Sequence, residues 1–398
     1  MSIDAESARV ADAAHRIVRE HDPTAVPMTE FLGACYDAGL SWVHFPEGLG
    51  GLGLSRGYQG VADAIFRKAG APSPYDLNII GYGMAAPTLV EYAQTDELKR
   101  QWMRPLATTE DIWCQLFSEP GAGSDLAGLA TSAVRDGDDW IVNGQKVWTT
   151  LAHCANWGIL LARTDPDVPK HKGLTYFVVD MRDPGVEVRP LRQMTGQAEF
   201  NEVYLNDVRV PDRHRIGAVG AGWGVAMTTL MNERSSIGAA GVRRGAGTIG
   251  DAVALWAQRP DRHSPVRRDR LAQLWLRAEA QRLTSERARA TATVSGPGPE
   301  GSIDKLVGAE LNQHVYEFCM DFLGPEGTLY GDYTMREVTA EDANAGGPVQ
   351  QRFLRSRANT IEGGTSEVLR NILGERILGL PGDLRADSGR PWREVPRG

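Results

Sequence analysis

Lysine is scarce in this 398-residue chain. Of 43 basic side chains only Lys68, Lys99, Lys146, Lys170, Lys172 and Lys305 are lysines, and the rest are arginine. Such a skew follows the base composition of a coding sequence and by itself assigns no function. No basic run stands out and the net charge is −8, so the electrostatic footprint of a nucleic-acid binder is missing. No uninterrupted apolar stretch approaches the length that crosses a bilayer. The start, Met1 to Ser7, is acidic and polar and lacks the basic or apolar features of a leader, so a cytoplasmic protein is expected. Cysteine is sparse too. Cys35, Cys114, Cys154 and Cys319 show no CxxC spacing, and His153-Cys154 alone is too small a ligand set, so no metal is expected. The four read as buried, reduced thiols.

What is present is enough apolar sequence for a large core: hydrophobic residues make up 42% and charged residues 24%, the proportions of an ordinary globular protein. The length suggests two or three domains. Helical spacing of apolar residues marks Ala8–Val18, Met28–Leu40, Tyr58–Lys68 and Asp96–Leu106. A loop is required at Pro46–Gly53, where glycines crowd. From Trp113 the period changes. Trp140–Trp148 reads as two strands joined by an Asn-Gly turn, and strands are expected at Gly158–Ala162, Leu174–Asp180, Val186–Pro190 and Asn201–Val210. Helical period returns after Gly222. Arg267–Arg289 carries Leu271, Leu274, Trp275, Ala278 and Leu283 on one side, and Ser302–Phe322 follows after Ser295-Gly296-Pro297-Gly298-Pro299. The order is helices (1–112), β (113–215), helices (216–398).

One segment invites a cofactor reading: Phe117-Ser118-Glu119-Pro120-Gly121-Ala122-Gly123-Ser124-Asp125. Small residues let backbone N–H groups approach an anion or a flat ring. It is not a Rossmann fingerprint, because Leu126 stands where the third glycine belongs and the flanks are not βαβ. Near the other end, Thr365-Ser366-Glu367 reads as a helix start, whose free N–H groups suit a phosphate.

Taken together, Ser118–Asp125, Asn143-Gly144-Gln145-Lys146-Val147-Trp148-Thr149-Thr150, Pro46-Glu47-x-x-Gly50-Gly51, Asn232-Glu233-Arg234 and Glu362–Arg376 resemble, in order, the signatures of acyl-CoA dehydrogenases. The resemblance spans nearly the whole chain. It implies an α+β multidomain fold: an N-terminal helical domain, a middle antiparallel β domain and a C-terminal four-helix bundle. It also implies FAD, an acyl-CoA substrate, an electron-transfer flavoprotein as acceptor, and a homodimer or homotetramer. Carried over by position, Phe117 and Ser118 would meet the flavin, Ser124 would lie near flavin and thioester, Trp148 would stand beside the ring, and Thr150 near N5. Thr365, Ser366 and Glu367 would meet the diphosphate and adenosine. Ser124, Asn232, Arg234 and Gly363 would face the substrate.

The resemblance breaks first at the position of the base. Many members carry a glutamate directly before Gly-Thr; here that slot holds Gly363, with Glu362 one residue earlier. Removing the α-proton of a thioester needs a carboxylate shielded from water and a carbonyl polarised by donors. Gly363 could serve only through its amide. In isovaleryl-CoA and long-chain acyl-CoA dehydrogenases the base comes from an earlier helix, and Glu233-Arg234 resembles that arrangement, so Glu233 is favoured over Glu362. The family's Arg-x-x-Phe-Gly run is not found, and its Gln-x-x-Gly-Gly segment is replaced by Asp321–Gly327. Those departures leave two alternatives: a flavin-deficient partner subunit of a heteromeric dehydrogenase, or an oxidase or monooxygenase on the same fold.

Overall fold

The computed structural model describes residues 3–237, 243–295, 300–331, 334–340, 342, 346–382 and 387–396, with the helical backbone alone for 3–4, 233–237, 289, 292–295 and 300. The N-terminal third is helical: α1 (Ile3–Glu20), α2 (Met28–Asp37), α3 (Gln59–Lys68), α4 (Pro74–Leu77), α5 (Ala86–Tyr92) and α6 (Asp96–Ala107). Val10, Ala14 and Ile17 recur at helical spacing on α1 and pack with Phe31, Leu32 and Cys35 of α2 and Ala62 of α3. The glycine loop between α2 and α3 is needed sterically. A Cβ on Gly51 would lie 2.0 Å from the Phe45 carbonyl oxygen. Thr95 caps α6, its hydroxyl accepting from the Leu98 N–H at 3.2 Å.

The middle region contains β1 (Trp113–Leu116), β2 (Ser132–Asp136), β3 (Asp139–Thr150), β4 (Trp157–Arg163), β5 (Leu174–Asp180), β6 (Val186–Pro190), β7 (Gln197–Ala198), β8 (Phe200–Pro211) and β9 (Arg215–Ile216). The main sheet runs β6-β8-β3-β2-β4-β5-β9 with β1 beside β4. Its neighbours are antiparallel except that β4 runs parallel to β1 and meets β2 in parallel at Ser132 and Arg163. Ile159, Leu161, Tyr176 and Val178 face a core shared with the helices, and Leu160, Ala162, Phe177 and Val179 face a second core. Both faces of β4 and β5 are therefore covered, which is why their sequences are apolar without alternation.

One expectation is corrected here. Asn143-Gly144 does not turn the chain; it lies inside the continuous twelve-residue β3. The Asn143 amide donates to Asp207 at 2.9 Å across to β8, and a register shift falls between Val142 and Gly144. Gly144 is needed for close approach, since a Cβ there would lie 2.3 Å from the Thr131 hydroxyl.

The C-terminal region holds α7 (Gly222–Ile237), α8 (Thr248–Gln258), α9 (Pro265–Ser295), α10 (Glu300–Leu323), the small strand β10 (Arg336–Glu337), α11 (Val349–Ser356) and α12 (Ser366–Arg376). Leu271, Leu274, Trp275 and Ala278 of α9 pack with Leu311, Val315, Phe318 and Phe322 of α10, as their spacing predicts. Leu283 does not; it is exposed, because five residues past Ala278 turn it roughly 140° around the helix. The connector at 296–299 lies outside the described residues. Val225 and Ala226 of α7 join the core of the sheet and N-terminal helices instead.

Candidate active site

The first glycine-bearing loop follows β1 and is held from beneath by Lys146. That side chain is 0% exposed. Its ammonium donates to the Phe117 carbonyl at 3.0 Å, the Leu161 carbonyl at 2.9 Å and the Glu119 carboxylate at 2.9 Å. Glu119 also accepts the Ala130 and Thr131 N–H groups at 2.6 and 2.9 Å. Burial alone would raise the Glu119 pKa, but Lys146 and those donors hold it below its ordinary value. Burial likewise lowers the Lys146 pKa against the pull of Glu119. Lys170 secures the far end of the loop, donating to both Asp125 oxygens at 2.8 and 2.9 Å. Open space lies beyond Gly121 and Gly123, and Ser124 is exposed.

The Val147 N–H donates to the Ser118 carbonyl at 2.9 Å, so the loop lies against the end of β3. There the pairing with β8 shifts register between Lys146 and Thr149. Trp148 falls in this bulge with φ +60, and its ring stands 61% exposed. A bulge leaves its residue out of the ladder and re-aims it, and the left-handed backbone marks local strain. Among the described residues the buried Thr149 hydroxyl has no hydrogen-bond partner, while Thr150 returns to register opposite Phe200.

The second loop precedes α12. Gly363 and Gly364 have φ of 63° and 98°, a left-handed pair that reverses the chain. Thr365 caps the helix, accepting from Val368 N–H at 3.2 Å. Among the described residues, the backbone N–H groups of Gly363, Gly364, Thr365, Ser366 and Glu367 find no acceptor. Ser366 is 4% exposed and its hydroxyl is also unpartnered. Five consecutive free donors at a helix head form an anion-receiving cradle.

A polar bridge joins the two loops. The Trp148 ring meets Phe200 edge-on at 6.0 Å, and the Arg355 guanidinium lies 5.4 Å from the Phe200 ring centre. Arg355 grips both Glu362 oxygens at 3.0 Å and reaches Glu199 at 3.4 Å. The Asn359 amide donates to Glu362 at 2.7 Å. Burial lifts the Glu199 pKa, opposed by Arg355. Burial lowers that of Arg355, but the two carboxylates outweigh it and keep it above its ordinary value.

Thus Ser118, Trp148 and Thr150 gather at the end of β3, and Gly363, Thr365, Ser366 and Glu367 gather at the head of α12. The Phe117 ring lies in the core, edge-on to Tyr176 at 5.7 Å, so only its backbone faces the loop. Asn232 is half-buried on α7. Glu233 and Arg234 belong to that helix, with their side chains outside the described residues. Thr229, one turn earlier, hydrogen-bonds to the Tyr176 hydroxyl at 3.1 Å, tying α7 to the ring that touches Phe117. Sequence reasoning did not single out Glu199, Phe200 or Arg355; Lys146 stood inside a quoted motif but had no assigned role.

The Asp321–Gly327 segment, which replaces the family's Gln-x-x-Gly-Gly, is tied to the turn after α8. Glu326 pairs with Arg259 and, at 2.8 Å, with Arg262, and Arg259 also holds Asp261 at 3.0 Å. Elsewhere the fit to a flavin dinucleotide is good. A flat aromatic exposed on a bulge, open glycines and a cradle of free amides are what a ring carrying a diphosphate requires.

Comparison with known proteins agrees. Residues 4–110, 114–208 and 220–378 match the sequence families described as the N-terminal, middle and C-terminal domains of acyl-CoA dehydrogenase. Acyl-CoA dehydrogenase FadE34 of Mycobacterium tuberculosis is 42% identical over 90% of this chain, which spans only 47% of that relative. Acyl-CoA dehydrogenase IpdE1 of the same organism is 38% identical, over 87% of this chain and 86% of its own length. The solved structure titled Tcur3481-Tcur3483 steroid ACAD superposes with a TM-score of 0.73 at 26% identity, covering 96% of this chain and 99% of that one. The chain therefore belongs to the acyl-CoA dehydrogenase family, oxidoreductases that work with FAD.

Proposed function

We propose that this chain dehydrogenates an acyl-CoA thioester to the 2-enoyl-CoA, with Glu233 as the base. The observation that carries the reading is the exposed Trp148 bulge joined through Phe200 and Arg355 to the amide cradle before α12. When bound, FAD accepts the hydride from the β-carbon. Ser118, Trp148 and Thr150 would hold its ring, and Thr365, Ser366 and Glu367 its diphosphate end. The chain's own work is to receive the thioester carbonyl on the Gly363 amide, take the α-proton on a carboxylate, and keep water off the reacting carbons.

Glu362 fits the base role poorly. Both of its oxygens are engaged by Arg355 and one also by Asn359, so accepting a proton would cost those bonds. Glu233 lies on α7, the helix tied through Thr229 and Tyr176 to Phe117. A steroid-derived acyl group is the proposed substrate class, on the likeness to the structure whose title names a steroid ACAD. We further propose an electron-transfer flavoprotein as acceptor, a cytoplasmic setting and domain boundaries near 112 and 215; among the described residues no helix is long and apolar enough to cross a membrane. A heteromeric assembly is the second reading. It is favoured by the replacement of the family's Gln-x-x-Gly-Gly segment by Asp321–Gly327 and by that title, which joins two components.

The test is anaerobic mixing of the flavin-loaded protein with straight-chain and steroid-derived acyl-CoA thioesters. At least one should bleach the flavin absorbance. Glu233→Gln should slow bleaching by about 10²-fold to 10⁴-fold, the range for loss of a positioned base, and Glu362→Gln far less. The reverse order would transfer the role to Glu362. Bleaching by no thioester until a second chain is added would establish the heteromeric reading instead.

A further inference from the structure

The cradle before α12 has an underside, and a lysine occupies it. Lys305, near the start of α10, donates from its ammonium to the Asn359 carbonyl at 2.8 Å and the Gly364 carbonyl at 2.6 Å. These carbonyls bracket Thr360–Gly363, the stretch that carries Glu362. In a trans peptide the C=O of one residue and the N–H of the next point in opposite directions. With the Gly364 carbonyl drawn onto Lys305, the Thr365 N–H is turned away from it. The Thr360 N–H is turned the same way by the Asn359 carbonyl.

We propose that Lys305 is a positioning residue for the active site: it draws two carbonyls of the turn to one side and so aims the Thr365 amide, at the centre of the 363–367 cradle, at the ligand. Its charge also adds to the positive end of the α12 dipole beneath an anion-receiving site. The choice of lysine is informative where nearly all other cations are arginine. A compact ammonium with three donors can converge on carbonyls in a narrow space, whereas a planar guanidinium spreads its donors in a fork. Lys146 repeats the device under the first loop, on the carbonyls of Phe117 and Leu161.

The inference rests on the reading that this turn serves the thioester and FAD, so it needs a readout independent of turnover. Hydrogen exchange on the FAD-free protein provides one. Lys305→Met should speed exchange at Glu362, Val368 and Leu369, whose amides bond within this turn, by about tenfold or more, with α8 and α9 unchanged. In the flavin-loaded enzyme the same variant should lower kcat by about 10²-fold, as small misplacements in active sites do, while KM for the acyl-CoA moves less than threefold. Lys305→Arg, which keeps the charge but spreads its donors in a fork, should recover only part of both losses. Exchange in Lys305→Met equal to that of the unaltered protein would overturn the proposal. So would a parallel collapse of kcat, KM and thermal midpoint, which would make the residue merely structural. If the unaltered protein oxidises no thioester yet the exchange result holds, the function reading fails and the role of Lys305 in the turn stands.

Discussion

The Lys146–Glu119 pair shows how a single buried charge can govern a loop. With the ammonium removed, Glu119 would keep two backbone donors but lose its counter-charge in a site closed to water. Breaking one side of a buried pair leaves the other uncompensated. Lys146→Met should therefore destabilise by about 3 kcal/mol in urea unfolding, and Lys146→Met with Glu119→Gln by clearly less than the sum of the two single changes. Additive losses would mean that the pair is not coupled. The sequence offered Lys146 only as a letter inside a motif. Its role depends on Phe117 and Leu161, which are 29 and 15 residues away, meeting at one point.

At the level of elements, β3 departs furthest from its sequence reading. Asn-Gly is a strong hairpin signal, but here pairing with β8 on both sides of Gly144 and the close approach of Thr131 keep the strand continuous, with only a register shift between Val142 and Gly144. A second irregularity comes four residues later, in the bulge that exposes Trp148. Stability and function can therefore be separated at that position. Trp148→Gly relieves a left-handed φ, worth about 1 kcal/mol for a non-glycine residue, and gives up little buried surface. The melting temperature should stay level or rise slightly, while the affinity of the FAD-free protein for FAD, measured by flavin fluorescence, should fall by tenfold or more. Undiminished FAD binding would remove the ring from the site. Helix positions and the helix–β–helix order were readable because apolar periodicity is local. The bulge was not, since nothing in Lys146–Thr149 states which residue β8 will skip.

Across the whole molecule, the sheet and the N-terminal helices meet at a cluster of rings. His214 is 8% exposed there, with Trp102 at 5.2 Å and Trp157 at 5.9 Å between ring centres. Burial, helped by Arg213 and opposed by Asp180, pulls its pKa down to about 4 from 6.5. The unfolded chain thus binds this proton more readily, so the stability is complete above pH 6.5 and is lost as pH falls toward 4. The loss from this group approaches 3 kcal/mol, at 1.36 kcal/mol for each pKa unit. Urea midpoints should drop over that interval, and His214→Phe should flatten that part of the profile; an unchanged slope would place the proton elsewhere. The site drew on distances of this same order. Its signature residues could be recognised one by one, but Arg355, Glu199 and Phe200 became part of it only when β8, α11 and the α12 turn converged. The exposed bulge has an optical consequence as well. Six of the ten tryptophans are buried and Trp148 alone is largely exposed. Its emission should form the red edge of the intrinsic fluorescence, open to iodide, and arrival of a flavin beside it should quench that edge first.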